Sequence, residues 1–294
     1  MSNTARPRRS VLYMPGSNPR ALEKAKGLPA DALILDLEDA VSPDAKAEAR
    51  RLVAEAVHSG DYGRRELIIR VNGLATPWGY DDLRAAAEAV PDAILLPKID
   101  SAKDIHDAEE LLANIGLADK TALWCMMETP LGILHAEEIA GASEGLAGFV
   151  MGTSDLTKDL HAHHTAMRLP MLTSLSLCIL AARVFGLAII DGVYLDLSDD
   201  EGFRASCRQG LELGFDGKTL IHPKQIAGAN EIFAPSAEEL DFARRIIDAH
   251  AAAEAEGKGV VLVDGKLVEN LHVENAHRLV TMSEQIAALD GGSA

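Results

Sequence analysis

The chain has 294 residues, room for two ordinary domains or for one α/β barrel of about 250 residues with a tail. Apolar residues at 48% and charged residues at 25% exclude a disordered or collagen-like chain, and 4% aromatics argue against a stacking platform for single-stranded nucleic acid. A formal net charge of −17 repels DNA, RNA and anionic membranes, so neither nucleic acid nor a membrane is an expected partner.

The charge is uneven. Residues 1–26 hold Arg6, Arg8, Arg9, Arg20, Lys24 and Lys26 against Glu23, a basic zone large enough for a phosphorylated small molecule. Cys125, Cys178 and Cys207 form no CxxC pair, and an odd count argues against a disulfide scaffold. Arg183 interrupts the best membrane-span candidate, and the apolar run Val11–Met14 is too short for a signal peptide. The expected location is the cytoplasm.

In chain order, short apolar runs predict strands at Ser10–Met14, Ala32–Leu37, Glu66–Val71, Ala93–Lys98, Ala122–Met127, Gly148–Gly152, Ala188–Leu195 and Phe215–Ile221. They start about 29 residues apart, against the roughly 31 expected for eight βα units in a barrel of ~250 residues. Nearly continuous apolar runs suit a parallel sheet covered by helices. Between the strands, Ser42-Pro43 opens a helix toward His58, and Gly27 closes the segment begun at Pro19. Ser236 with Glu239 forms a capping box whose helix ends at Gly257. Beyond the eighth unit, Val260–Val263, Asp264-Gly265 and Lys266–Val268 predict a hairpin, with a final helix from Val273 to Leu289. The fold class is therefore α/β, a (β/α)8 TIM barrel over residues 1–256 with a small hairpin-plus-helix appendage over 257–294.

The strand ends carry the chemistry. Asp36-Leu37-Glu38-Asp39, Arg70, Lys98, Glu128, Asp155, Asp196 and His222 all fall at predicted C-terminal ends, which in such a barrel converge on one face. Glu128 and Asp155 close adjacent strands, ~4.8 Å apart, and without a nearby Cys or His they suit a hard cation such as Mg²⁺, for which Mn²⁺ could substitute. Arg70 can hold a planar anion or offset an enolate. Lys98 raises a Schiff-base alternative, but the surrounding carboxylates would keep it protonated, so an ion pair is expected. Gly152, Thr153 and Ser154 would let backbone N–H groups reach a substrate carboxylate. His161, His163 and His164 are expected to be exposed rather than a zinc site, and Cys125 to be core.

Arg9–Gly16, Leu35–Val41, Arg70-Val71-Asn72-Gly73, Met127-Glu128-Thr129-Pro130, Gly152–Leu156 and Ile221-His222-Pro223 together resemble the citrate lyase β-subunit-like (CitE-like) branch of the HpcH/HpaI aldolase family. The resemblance implies a homo-oligomer, a trimer or a multiple of it, acting on CoA thioesters of hydroxy acids. It implies Mg²⁺ on Glu128 and Asp155, substrate on Arg70 and Glu38, and CoA against Tyr13, Arg20, Lys24 and Lys26. Family lyases often place an Asp after the tail hairpin as acid/base; here the position holds Glu269, and its extra methylene shifts a proton-transfer group by ~1 Å, a displacement worth ~100-fold. The leading expectation is a Mg²⁺-dependent lyase that cleaves malyl-CoA or citramalyl-CoA to a 2-oxo acid and an acyl-CoA. In that reaction Glu269 from a neighbouring subunit or Asp39 takes the hydroxyl proton and Arg70 offsets the enolate. The alternatives are a malyl-CoA thioesterase on the same scaffold, a citrate lyase β subunit and a catalytically silent binding protein.

Overall fold

The computed structural model describes residues 6–117, 121–255 and 261–291. The chain runs β1 (Ser10–Pro15), α1 (Pro19–Ala25), β2 (Ala32–Asp36), α2 (Lys46–Ser59), β3 (Glu66–Arg70), α3 (Gly79–Ala89), β4 (Ala93–Leu96), α4 (Ala102–Asn114) and β5 (Ala122–Met127). It continues through α5 (Pro130–Leu134), α6 (Ala136–Ala140), β6 (Leu146–Met151), α7 (Thr153–Asp159), α8 (Leu172–Phe185), β7 (Ala188–Asp191), α9 (Asp200–Leu213), β8 (Gly217–Leu220) and α10 (Ile226–Phe233). The last elements are α11 (Ala237–Ala255), β9 (Val261–Val263), β10 (Lys266–Val268) and α12 (Asn270–Gly291). Strands β1 to β8 pair in order, all parallel, and β8 returns to β1, so the barrel closes as its spacing predicts.

Alternation along each strand sorts residues into two layers. Val11, Ile34, Ile68, Leu95, Trp124, Val150 and Ile190 fill the barrel interior, while Leu12, Leu33, Ile69, Ile94 and Phe149 face the helices. The interior accommodates Trp124 because β6 carries Gly148 opposite it; a Cβ there would lie 2.7 Å from the indole ring. The same period carries polar groups inward at the strand ends. On β3, Glu66 and Arg70 share Ile68's face at opposite ends, and β5 continues Trp124 and Met126 into Glu128.

The described residues divide into two compact units, one within Arg8–Phe233 and the other formed by residues 6–7, 234–255 and 261–291. This differs from the expected division at 256/257. Helix α11 belongs with the appendage because its Ala243 and Ile246 bury against Val263, Val268 and Ala276 in a core of their own. The Ser236–Glu239 capping box opens α11 as expected, with Ser236 N–H donating to Glu239 Oε2 at 2.8 Å and Glu239 N–H to Ser236 Oγ at 3.2 Å. Asp264 (φ 52°) and Gly265 (φ 75°) both take left-handed backbone, as a two-residue hairpin turn of this hand requires. Gly257 and Val260 lie outside the described residues. Among the described residues no helix is long and apolar enough to cross a membrane.

Candidate active site

A cleft of about 340 Å³ opens at the C-terminal ends of the strands, lined by Tyr13, Asp36, Asp39, Arg70, Glu128 and the segment Gly152–Asp155. Asp36 is fully buried and grips Arg70 from two sides, accepting from Nε and from Nη2 at 2.7 Å each. The Tyr13 ring lies beneath that guanidinium, 5.0 Å from its centre, and the Tyr13 hydroxyl donates to Met126 Sδ at 3.4 Å. Arg70 Nη1 therefore points at the remaining acids, 2.9 Å from Glu38 Oε2 and 3.3 Å from Asp39 Oδ2. The contact with Glu38 falls outside hydrogen-bond geometry, so Oε2 is charge-paired yet has no hydrogen-bond donor. Burial pushes the Glu38 carboxyl upward, with Arg70 opposing it.

Glu128 is 3% exposed, and its carboxyl is pushed up to about 7, chiefly by burial and then by the Glu38 charge, against the Lys98 N–H that bonds it. That bond, Lys98 N–H to Glu128 Oε1 at 2.9 Å, depends on a left-handed Lys98 backbone (φ 52°) just past β4. Gly152 completes the cradle, because a Cβ there would collide with both Cβ and Oε2 of Glu128. Asp155 lies in the first turn of α7 rather than at the end of β6. Its Oδ2 accepts from Lys98 Nζ at 3.0 Å, and the same ammonium lies 3.5 Å from Glu38 Oε1. Burial alone would lower Lys98, but its bond to Asp155 and the charges of Glu38 and Glu128 outweigh it and hold the ammonium well above its ordinary value. That is the expected ion pair, not a neutral Schiff-base lysine.

Glu128 and Asp155 fit an oxygen-loving divalent cation in donor type, and the Gly152 cradle leaves room for Glu128 to present its carboxylate. Among the described residues no three His, Cys, Asp or Glu side chains gather to hold a metal by themselves. A cation here would take the two carboxylates and complete its shell from water or substrate oxygens, the usual arrangement for Mg²⁺.

Several expected placements change. Strand β7 ends at Asp191 rather than Leu195, so Asp196 stays in the following loop, where it caps Ser198. The buried carboxylate at that strand end is Asp191, held by Arg168 and Lys218 at 2.7 Å each. His222 uses Nδ1 to accept from Lys224 N–H at a turn after β8 and does not line the cleft. Tyr13 lies under Arg70, not grouped with the cations of α1. The basic zone is not one patch either: Arg8 and Arg9 precede β1 and are buried against Glu66 and Asp31, and Lys26 is paired with Glu23 and Asp61. Arg20 and Lys24 are exposed. His161, His163 and His164 are exposed and Cys125 is buried, as expected. Glu269 immediately precedes α12 in the second unit, its N–H donating to His272 Nδ1 at 3.0 Å.

One residue escapes sequence reasoning. Lys46, 5% exposed, sends Nζ to the carbonyls of Leu37 (2.8 Å) and Glu38 (2.7 Å) and to Asn72 Oδ1 (2.8 Å), tying down the acidic loop after β2. Asp82, fully buried, anchors Asn72 in turn. A lysine opening a helix reads as solvated surface; only the Asn72 beside Arg70 hints at a buried partner.

A profile described as HpcH/HpaI aldolase/citrate lyase matches residues 9–223, a span that contains every rim residue above. The chain belongs to that family. It is 51% identical over 288 residues to a (3S)-malyl-CoA thioesterase of Cereibacter sphaeroides, covering 98% of this chain and 99% of that one. It is 36% identical over 308 residues to an L-malyl-CoA/beta-methylmalyl-CoA lyase of the same species, with 97% of each covered. The structure of the protein CitE from Mycobacterium tuberculosis, in complex with magnesium, acetoacetate and coenzyme A, superposes with a TM-score of 0.77 at 29% identity, over 96% of this chain and 99% of that one.

Proposed function

We propose that this family member hydrolyses a malyl-CoA-type thioester to the free hydroxy acid and CoA, at the C-terminal mouth of the barrel, with Mg²⁺ as the metal. The carrying observation is the inward convergence of Arg70, Glu128 and Asp155 on one cleft, in a chain that matches a (3S)-malyl-CoA thioesterase from end to end at 51% identity. The sequence expectation puts carbon–carbon cleavage first. The lower identity to the lyase, 36%, and Glu269 in place of the acid/base Asp move hydrolysis ahead of it.

Glu128 and Asp155 hold the cation, which when bound supplies Lewis-acid polarisation of substrate oxygens. Arg70, locked by Asp36 and stacked on Tyr13, offers its Nη1 edge to the negative charge that grows on the thioester oxygen. Asp39, the most exposed acid of the rim at 66%, takes the proton of the attacking water, and Glu269 supplied by a neighbouring subunit is the other candidate for that role. Glu38 and the backbone of Gly152, Thr153 and Ser154 line the acyl end. Arg20 and Lys24 remain for the CoA phosphates; Lys26 is already neutralised by two acids.

Exposed apolar side chains such as Leu134 (76%), Leu180 (65%) and Val184 (73%) support self-association, checked by mass measurement in solution. Three buried free cysteines agree with a reducing cytoplasm. The function is tested by incubating the chain with (3S)-malyl-CoA and Mg²⁺ and identifying products. Malate and free CoA are expected; glyoxylate and acetyl-CoA would establish the lyase instead, and no reaction would sink both.

A further inference from the structure

Lys98 contacts both carboxylates of the candidate metal site at once. Its main chain bonds Glu128 Oε1 and its ammonium bonds Asp155 Oδ2, reaching toward Glu38 Oε1. The left-handed backbone at φ 52° allows both ends of one residue to serve the site. The side chain is 51% exposed, whereas the two other structural lysines of this unit, Lys46 (5% exposed) and Lys218 (1% exposed), are walled in by protein. Lys98 can thus leave Asp155 for solvent at small cost, while its backbone N–H keeps hold of Glu128.

We propose that Lys98 is the resident counter-ion of the metal site, so that a divalent cation binds by exchange with its ammonium. This inference rests on the assignment of Glu128 and Asp155 as metal ligands. With the cation absent, the ammonium compensates Asp155 and Glu38 and keeps the carboxylates from repelling one another. A cation held by Asp155 would share that carboxylate with the ammonium, and the half-exposed lysine is the group free to move. Metal affinity is then set by a difference between two ion-pairing states, and the lysine weakens it. A unit charge within 4–6 Å moves a neighbouring charge equilibrium by roughly one to three powers of ten, and half-exposure selects the low end, about tenfold.

The test is calorimetric titration of Mn²⁺ into the full chain, without substrate, for the wild type, Lys98→Met and Lys98→Arg. Methionine keeps the chain length and the backbone donor to Glu128 but removes the charge. Lys98→Met should bind Mn²⁺ about tenfold more tightly than the wild type, and Lys98→Arg within about threefold of it. In the wild type itself, acetylation of Lys98 followed by mass spectrometry should speed up about threefold when Mn²⁺ is added, because the displaced Nζ loses its hydrogen bond to Asp155 and is freed to the reagent. This second measurement decides the matter if Lys98→Met does not fold. Unchanged or weaker binding by Lys98→Met, or acetylation that is unchanged or slowed, overturns the exchange role while leaving the metal ligands standing. Absence of Mn²⁺ binding by both the wild type and Lys98→Met overturns the ligand assignment and this inference with it.

Discussion

At the N-terminal end of the barrel, Arg8 meets Glu66 through two hydrogen bonds of 2.6 and 2.7 Å and stacks over Trp124, while Arg9 closes on Asp31 through three contacts of 2.8 to 2.9 Å. At the C-terminal end, Arg70 spreads over Asp36, Glu38 and Asp39, and Lys98 over Glu38 and Asp155. Both ends use the same residue types, and β3 supplies Glu66 to one and Arg70 to the other from the same inward face. At the N-terminal end each buried arginine holds a buried carboxylate through both its Nε and its Nη2. At the mouth acids outnumber cations, a buried Glu38 oxygen lacks a donor, and Glu128 is lifted to about 7. Charges that satisfy each other hold a fold together, and charges that do not are available to a ligand.

That contrast is open to direct attack. Glu66→Ala removes the carboxylate that Arg8 grips inside the barrel and should cost about 3–5 kcal/mol in urea unfolding, with turnover per folded molecule preserved. At the other end, Glu128→Ala and Asp155→Ala should each reduce metal-dependent turnover at least ~100-fold, the upper range for residues that only support a metal ligand, with the circular dichroism spectrum intact. Full activity in either variant would remove that residue from the site.

A third experiment uses pH on the metal-free protein. Because burial raises Glu128 to about 7, the folded chain keeps a proton that the unfolded chain releases above its ordinary carboxyl value. Stability from this group is therefore complete below the ordinary carboxyl value and is lost as pH climbs from there to 7, by about 3 kcal/mol in all. Glu128→Gln should flatten that decline in urea midpoints measured between about pH 4.5 and 7. Cation affinity should rise over the same range, since the ligand must shed its proton to bind.

Lys46→Met strips the donor from two loop carbonyls and Asn72, and should cost about 1–3 kcal/mol while raising KM more than it lowers kcat. If KM holds, the acidic loop positions itself without that lysine. The smallest effect belongs to Arg20→Ala and Lys24→Ala. Each should raise KM for a CoA thioester a few-fold, about 1 kcal/mol or less, and the rise should fade with added salt.

Much of this site is legible before any coordinates. Strand spacing predicts the closed barrel, and the carboxylates at strand ends predict which mouth carries chemistry, because a parallel barrel sends every C-terminal end to one face. The misses are equally specific. Val193, Tyr194 and Leu195 extend the apolar run and predict a β7 that ends at Asp196, yet the strand stops where β8 ceases to pair with it, at Asp191 against Lys218. The basic zone looked like one patch because Arg8, Arg9, Arg20, Lys24 and Lys26 are close in sequence, whereas β1 separates the first pair from the others. Sequence alone places α11 with the barrel, because amphipathic helices look alike whichever core they serve.

By itself the sequence determined the barrel, the hairpin turn at Asp264-Gly265 and the identity of the acids and the arginine at the mouth. Those follow from local rules: strand period, left-handed turn preference and the geometry of strand ends. Only the tertiary structure decided who pairs with whom. Asp36 takes Arg70, Lys46 takes the loop carbonyls and Lys98 takes both candidate metal ligands, because which charges meet depends on residues brought together from distant strands, and the burial that shifts Glu128 exists only once the barrel has closed around it.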